Sequence, residues 1–254
     1  MPERVLVVIP ARYGSSRFPG KALADLGGRP LVVRTVECAL RMREADEVVV
    51  ATDDRRIEAA VRAAGHACVM TGDHKTGTDR IGEVLAGRSA DLVVNLQGDE
   101  PLLDPAVADR LVRTLREAPA VALATCAHPF ADADTWRDPN VVKVLVDQAG
   151  RALYFSRAPI PGQFPAPTAT EPPFRLAQRH VGIYGWRAAA LREFLAWPQG
   201  ALERIEGLEQ LRALEHGLAI VVIPVAAGPV GVDTPDDLER VRALWHQRND
   251  GGAA

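Results

Sequence analysis

Val5-Leu6-Val7-Val8-Ile9 runs directly into Pro10-Ala11-Arg12-Tyr13-Gly14-Ser15-Ser16-Arg17-Phe18-Pro19-Gly20-Lys21. The unbroken aliphatic run predicts a strand buried on both faces, the kind that sits inside a parallel sheet. The segment after it holds Arg12, Arg17 and Lys21 and no acid. In doubly wound sheets ligands bind beyond the carboxyl ends of the strands. A small Gly/Ser-rich turn there offers backbone N–H groups and positive charge to phosphate. The plainer alternative is a solvated loop with ordinary surface cations. Two familiar signatures are absent. Gly14 and Gly20 enclose five residues and Ala22 follows Lys21, which breaks the P-loop pattern. No GxGxxG fingerprint is present either, which counts against a nicotinamide dehydrogenase.

Outward from this stretch, strands and helices alternate. Helices are expected at Leu31 to Met42, at Arg55 to Ala64 with Asp53 as cap, and at Thr78 to Leu85. Strands are expected at Glu47 to Ala51, Ala67 to Met70 and Asp91 to Leu96, and Pro105 starts a further helix. Such alternation implies parallel βαβ units with right-handed crossovers. The second half is less regular. It shows a strand pair at Val141 to Val146 and Ala152 to Ser156, a Pro-rich loop from Pro159 to Pro173, and a strand from Val181 to Trp186. A helix from Glu203 to His216, a strand from Ala219 to Val225 and a closing helix from Asp236 to His246 follow, leaving a tail read as disordered. The pattern predicts one α/β domain over 1–246. An inserted β-rich lobe is expected at about 131–230, after a first half at about 1–130.

Composition narrows the classes. With 254 residues, 47% hydrophobic and 25% charged, the chain can bury a core without staples. Thirty Lys and Arg against 33 Asp and Glu argue against a bulk nucleic-acid binder. Three scattered cysteines without CxxC spacing indicate neither a disulfide framework nor a zinc site. No apolar run is long enough for a signal or membrane segment, so a soluble cytoplasmic protein is expected.

Two acids stand at ligand-facing positions. Asp99 follows a buried strand in Gln97-Gly98-Asp99-Glu100-Pro101, and Gly98 lets backbone approach a ligand closely. Asp233 lies in Gly231-Val232-Asp233-Thr234-Pro235. Magnesium favours one or two carboxylates together with phosphate oxygens and water, so this pair suits a metal–triphosphate site. Asp233 reads equally as part of a helix start, with Thr234 as cap and Pro235 in the first turn. Thr71 to Arg80 offers small and hydroxyl residues to a base edge, and Gln97 can both donate and accept. Thr78 reads as a helix cap, and His74 as exposed and without a partner. Farther on, His180, Tyr184 and Trp186 fall at even spacing along a strand and share a face. With Arg157 they suit a carboxylated, hydroxylated sugar, although a structural histidine is the simpler reading of His180. Glu206 and Gln210 are four apart on one predicted helix face, which could equally be solvated.

Arg12-x-x-Ser15-x-Arg17-x-Pro19-x-Lys21 resembles the signature of sugar nucleotidyltransferases. Together, Ile9 to Tyr13 and Arg17 to Lys21 are similar to the 3-deoxy-D-manno-octulosonate cytidylyltransferases, which transfer CMP from CTP to the sugar acid 3-deoxy-D-manno-octulosonate (Kdo). Gln97 to Pro101, Tyr154 to Ala158, Arg179 to Arg187, Ile205 to Arg212 and Gly231 to Leu238 match further family segments in order. Trp186 stands where Tyr is commoner, Gly207 is a poor interior helix residue, and the loop from Pro159 to Pro173 has no match.

The resemblance implies a Rossmann-like, mostly parallel sheet flanked by helices with an inserted β-rich lobe, as in nucleotide-diphospho-sugar transferases. Arg12, Lys21, Asp99 and Asp233 would be catalytic. Pro10, Ala11, Arg12, Arg17, Lys21, Thr76, Gly77, Arg80 and Gln97 would bind the nucleotide. Arg157, His180, Tyr184, Glu206 and Gln210 would bind the sugar, and Asp99 and Asp233 would hold Mg2+. It further implies CTP and Kdo as substrates, a homodimer, no nucleic-acid or membrane partner, and a product destined for lipopolysaccharide synthesis. The alternatives are a cytidylyltransferase for an amino-Kdo variant or sialic acid, and a non-catalytic nucleotide-binding protein.

Overall fold

A computed structural model describes residues 3–14, 17–162 and 171–250. Ser15 of the quoted signature and residues 163–170 of the Pro-rich loop lie outside that set. β1 (Val5–Pro10) is buried over its first five residues, as an aliphatic run between two neighbouring strands requires. α1 (Leu31–Ala39) buries Leu31, Val32, Thr35, Val36 and Ala39 at helical spacing and ends short of Met42. β2 (Glu47–Thr52) precedes α2 (Arg55–Ala63). The cap of α2 is Asp54, not Asp53: Asp54 accepts from the amides of Arg56 and Ile57. Only the residue directly before the first helical one reaches those amides, and Asp53 instead accepts from Arg80. β3 (Cys68–Met70) leads to α3 (Gly77–Ala86). The cap there is Thr76, which accepts from Asp79 N, whereas Thr78 is buried inside the first turn. β4 (Leu92–Asn95) and α4 (Pro105–Glu117) follow.

β5 (Leu123–Pro129) has no counterpart among the sequence expectations. After it come α5 (Ala133–Arg137), β6 (Lys143–Val146), β7 (Ala152–Ser156), β8 (Gln178–Arg187) and α6 (Ala188–Ala196). The single helix expected from Glu203 to His216 is two helices, α7 (Ala201–Glu206) and α8 (Gln210–Glu215). Gly207 stands between them at φ 62, and a left-handed residue ends a helical ladder. Glu206 and Gln210 therefore belong to different helices. β9 (Ile220–Pro224) is as expected. α9 (Pro235–Asp250) runs through residues 247–250 of the expected tail, and 251–254 lie outside the described residues. Thr234 and Asp237 cap the start of α9 reciprocally, with Thr234 Oγ1 accepting from Asp237 N and Asp237 accepting from Thr234 N.

The chain forms two compact units, residues 1–112 with 229–254, and residues 113–228. In the first, β3, β2, β1 and β4 lie side by side in that order and all run parallel. Val7 sits opposite Val48 and Val94, so β1 is central and its carboxyl end carries the cationic turn. α1, α2 and α3 pack on these strands. In the second unit β5 is antiparallel to β8 and parallel to β9, while β6 pairs antiparallel with β7 and β8. The result is the expected α/β class, with parallel strands, flanking helices and an inserted β-rich portion.

α7 and α8 are locked together by a buried pair. Arg212 Nη2 and Nε donate to Glu203 Oε1 and Oε2 at 2.6 and 2.7 Å. Burial opposes ionisation of Glu203, but the Arg212 guanidinium outweighs it and holds the carboxyl below its usual 4.5. Removing one partner of a buried pair strands the other charge, so Arg212→Met should cost about 3–5 kcal/mol. A carboxyl depressed in the folded state stabilises above its unfolded pKa, and that contribution is lost as pH falls through the folded value. Denaturant melts across pH should therefore show the gap between parent and variant closing below about pH 4.5.

Candidate active site

The turn after β1 is anchored from within. Gly20 has φ 75, and a Cβ there would meet the Tyr13 ring at 3.1 Å. Phe18 packs against a buried cluster of Leu26, Leu31, Leu102, Val232, Leu238 and Val241. That cluster also fixes Val232, whose N–H donates to Asp99 O at 3.0 Å. The segments bearing Asp99 and Asp233 are thereby set side by side. Gly98 has a related role: a Cβ on it would stand 2.9 Å from Pro10 O. The close approach that the sequence assigned to a ligand is thus made by the backbone of the cationic turn itself.

Lys21 joins these pieces. Its Nζ donates to Asp99 Oδ2 at 2.5 Å, Val232 O at 2.9 Å and Asp233 Oδ1 at 3.1 Å. Arg17 reaches the other oxygen of Asp233 at 3.1 Å. Burial alone would lower the Lys21 pKa, but Asp99 and Asp233 outweigh it and the value is raised. Beside them Glu100 Oε2 is buried without a hydrogen-bond partner. Burial, then the charges of Asp99 and Asp233, push the Glu100 carboxyl up to about 8 against the pull of Lys21. The two aspartates are hard oxygen donors already converging on one cation, which is the donor chemistry magnesium takes. Among the described residues no group of three or more His, Cys, Asp or Glu is placed to hold a metal. Phosphate oxygens and water would therefore complete such a shell.

In the same unit a cleft of about 410 Å³ is lined by Arg12, Tyr13, Gly14, Asp53, Asp54, Arg56, Asp73, His74 and Arg80. No carboxylate among the described residues pairs with Arg12. Arg56 lies over the Tyr13 ring, 3.3 Å from its centroid. Arg80 is 3% exposed, bonded to Thr71 Oγ1 and, at 2.7 Å, to Asp53. Ala11 is buried and its N–H bonds Ala51 O at 2.9 Å. Gly77 sits where a Cβ would press on Pro10 Cγ at 3.2 Å, next to the Thr76 cap. Gln97 begins the turn after β4, its carbonyl accepting from Glu100 N. His74, expected to be exposed and without a partner, is half-buried and meets Glu83 at 2.5 Å.

The residues assigned to a sugar fall in the second unit. Glu206 accepts from Ser156 Oγ at 2.6 Å and Arg157 N at 2.8 Å, and Tyr154 Oη lies 3.5 Å away. Arg157 Nε donates to Glu206 O at 2.9 Å. His180 contacts Thr125 Oγ1 at 2.9 Å and packs between Phe155 and Tyr184. Burial pushes the His180 pKa down to about 3 and drives that of Tyr184 strongly upward. The imidazole is neutral, so Arg157 supplies the positive charge among these assigned residues. Trp186 packs on Phe194, and Gln210 is buried at the start of α8.

Sequence reasoning missed Tyr13, Asp53, Arg56 and Asp73 as cleft residues, and Glu100 beside the aspartates. The adjacency of Glu100 to Asp99 was a usable signal. Nothing local marked Arg56, whose place depends on where α2 begins.

The profile of the Cytidylyltransferase family matches residues 6–220. A 3-deoxy-manno-octulosonate cytidylyltransferase of Anaeromyxobacter sp. (strain Fw109-5) is 52% identical over 244 residues, covering 95% of this chain and 97% of that protein. A solved CMP:2-keto-3-deoxy-manno-octonic acid synthetase complexed with CTP is similar in structure, with TM-score 0.89 and 44% identity over 96% of this chain and 99% of its own. The 4-diphosphocytidyl-2C-methyl-D-erythritol synthase of Anaerococcus prevotii shares the fold at TM-score 0.63 and 12% identity, covering 95% of this chain and 96% of its own.

The contact of Gly98 with Pro10 O makes a small side chain costly. Gly98→Ala should lose about 1–3 kcal/mol, a drop of several degrees in a thermal melt. Gly14→Ala, with nothing within 4 Å of its Cβ, serves as the control and should stay within about 0.5 kcal/mol.

Proposed function

The chain belongs to the 3-deoxy-manno-octulosonate cytidylyltransferases within the Cytidylyltransferase family, and from that membership we infer that it transfers CMP from CTP to the anomeric hydroxyl of Kdo. The new bond joins the anomeric oxygen to the α-phosphorus, the hydroxyl proton passes to solvent, the bond from that phosphorus to the bridging oxygen breaks, and pyrophosphate leaves. The observation that carries the reading on this chain is the convergence of Asp99 and Asp233 on Lys21, in the same unit as a cleft that Arg12 lines.

Each group has a task in such a transfer. Arg12 brings an uncommitted guanidinium to the triphosphate, and Arg17 and Lys21 add charge where the leaving group becomes more negative. Pro10, Ala11, Thr76, Gly77, Arg80 and Gln97 shape the nucleotide side. Arg80, tied to Asp53 and Thr71, acts by keeping that wall in place. Asp99 and Asp233 would hold a magnesium ion, which when bound supplies Lewis acidity at the phosphate oxygens and lowers the pKa of a nearby hydroxyl. Arg157 pairs with the sugar carboxylate, while neutral His180, Tyr184 and Gln210 offer uncharged contacts. The Glu206 carboxylate fixes the Ser156-Arg157 segment. No covalent intermediate on the protein is needed: positioning and charge neutralisation carry the barrier reduction.

We further propose a cytoplasmic homodimer that supplies the activated sugar for lipopolysaccharide synthesis. Dimerisation is supported by exposed Leu153 on β7 and by exposed Leu202 and Ile205 on α7. Among the described residues no helix is long and apolar enough to cross a membrane.

With CTP, Kdo and magnesium the protein should release pyrophosphate, and Asp99→Ala should reduce the rate at least about a hundredfold. Equal release without magnesium would reject the metal role. Arg12→Ala should raise the KM for CTP about tenfold with little change for the sugar acid. An equal rise for both would remove Arg12 from the triphosphate.

A further inference from the structure

Lys143 on β6 is among the largest fully buried side chains of the described protein, at 0% exposure. Its ammonium hydrogen-bonds no carboxylate, although the charges of Asp138 and Glu206 reach it. All three of its N–H donors are used on backbone carbonyls: Asp138 O at 2.7 Å, Val141 O at 2.8 Å and Arg157 O at 2.7 Å. A buried, saturated cation of this kind is costly to place and is retained where it fixes something. Two of its carbonyls belong to the loop between α5 and β6, and the third belongs to Arg157 at the end of β7.

The Arg157 guanidinium is oriented by the same loop. Its Nε donates to Glu206 O at 2.9 Å and its Nη1 to Pro139 O at 3.3 Å. Pro139 directly follows Asp138, whose carbonyl Lys143 holds. The loop is therefore pinned on both sides of the carbonyl that receives Arg157. A guanidinium has five N–H donors, and no ion pair within the described protein neutralises this one. Glu206 spends its carboxylate on the Arg157 backbone and on Ser156, not on the guanidinium. What remains is a fixed fork of donors with unspent charge, backed by a second cation that cannot move.

Resting on the function inferred above, we propose that Lys143 is a positioning residue for the sugar acid, acting through Arg157 by clamping the loop and strand end that aim its guanidinium. Lys143 touches no substrate in this scheme. It sets how precisely the Arg157 fork meets a carboxylate, a geometry on which bidentate pairing depends strongly.

The test begins with the unsubstituted enzyme, which must turn over CTP and Kdo. If it does not, the function is wrong and Lys143 is not in question. Given turnover, Lys143→Met should raise the KM for Kdo about tenfold or more while the KM for CTP stays within about twofold. In an Arg157→Ala background the same substitution should add almost nothing to the KM for Kdo. An unchanged KM for Kdo, an equal rise for both substrates, or full additivity with Arg157→Ala overturns the proposal. Should Lys143→Met not fold, the unsubstituted protein still decides. Its lysine ammonium NMR signal at Lys143, assigned against Lys143→Arg, should shift on adding Kdo and not on adding CTP. No shift with Kdo overturns the proposal.

Discussion

Two carboxylates from distant parts of the chain share one ammonium, and the first unit is organised around that contact. Asp99 and Asp233 would repel each other without Lys21 between them. Lys21 reaches them because Gly20 adopts a backbone that other residues avoid and because Phe18 is held in the apolar cluster. Val232, wholly buried in that cluster, ties the third segment to Asp99 O. Hydrophobic burial does the placing and the charges do the chemistry. The carboxylates arrive already paired with a cation, so both acids are in position before any ligand binds.

Some of this was legible in the sequence. The first strand, the cationic turn and both aspartates could be read because each depends on local pattern: an aliphatic run, a charge cluster, an acid just past a strand. The reading failed where neighbours in space decide. Asp53 and Asp54 are equivalent as caps on paper, and the exact helix start selected Asp54 and sent Asp53 to Arg80. Thr76 and Thr78 posed the same ambiguity. Gly207 was noted as a weak helix residue, but its left-handed backbone, which separates α7 from α8, follows from the packing of those helices and not from composition. β5 went undetected because Ala124, Thr125, Cys126 and Ala127 have little strand character of their own. Pairing with β8 and β9 makes them one. The burial of Lys143 rests on two carbonyls of the loop before β6 and a third from the end of β7, a meeting that no local pattern announces.

The cations of the two candidate sites are held differently. In the first, Lys21 is balanced by carboxylates and Arg12 is left open to a cleft. In the second, Lys143 and Arg157 are held by peptide carbonyls, which orient a cation without cancelling it. A triphosphate with its metal needs both acid and base at hand. A sugar carboxylate needs net positive charge that is rigid and unspent. Each arrangement suits the substrate that we propose for it.

Asp233 belongs to a stretch that returns to the first unit only after the whole second unit has been threaded. During synthesis the early segment emerges with Lys21 and Asp99 but lacks its second acid until residues 113–228 have followed. The pairing on Lys21 is thus a bond between residues more than two hundred positions apart, and the first unit closes only when both of its stretches are present.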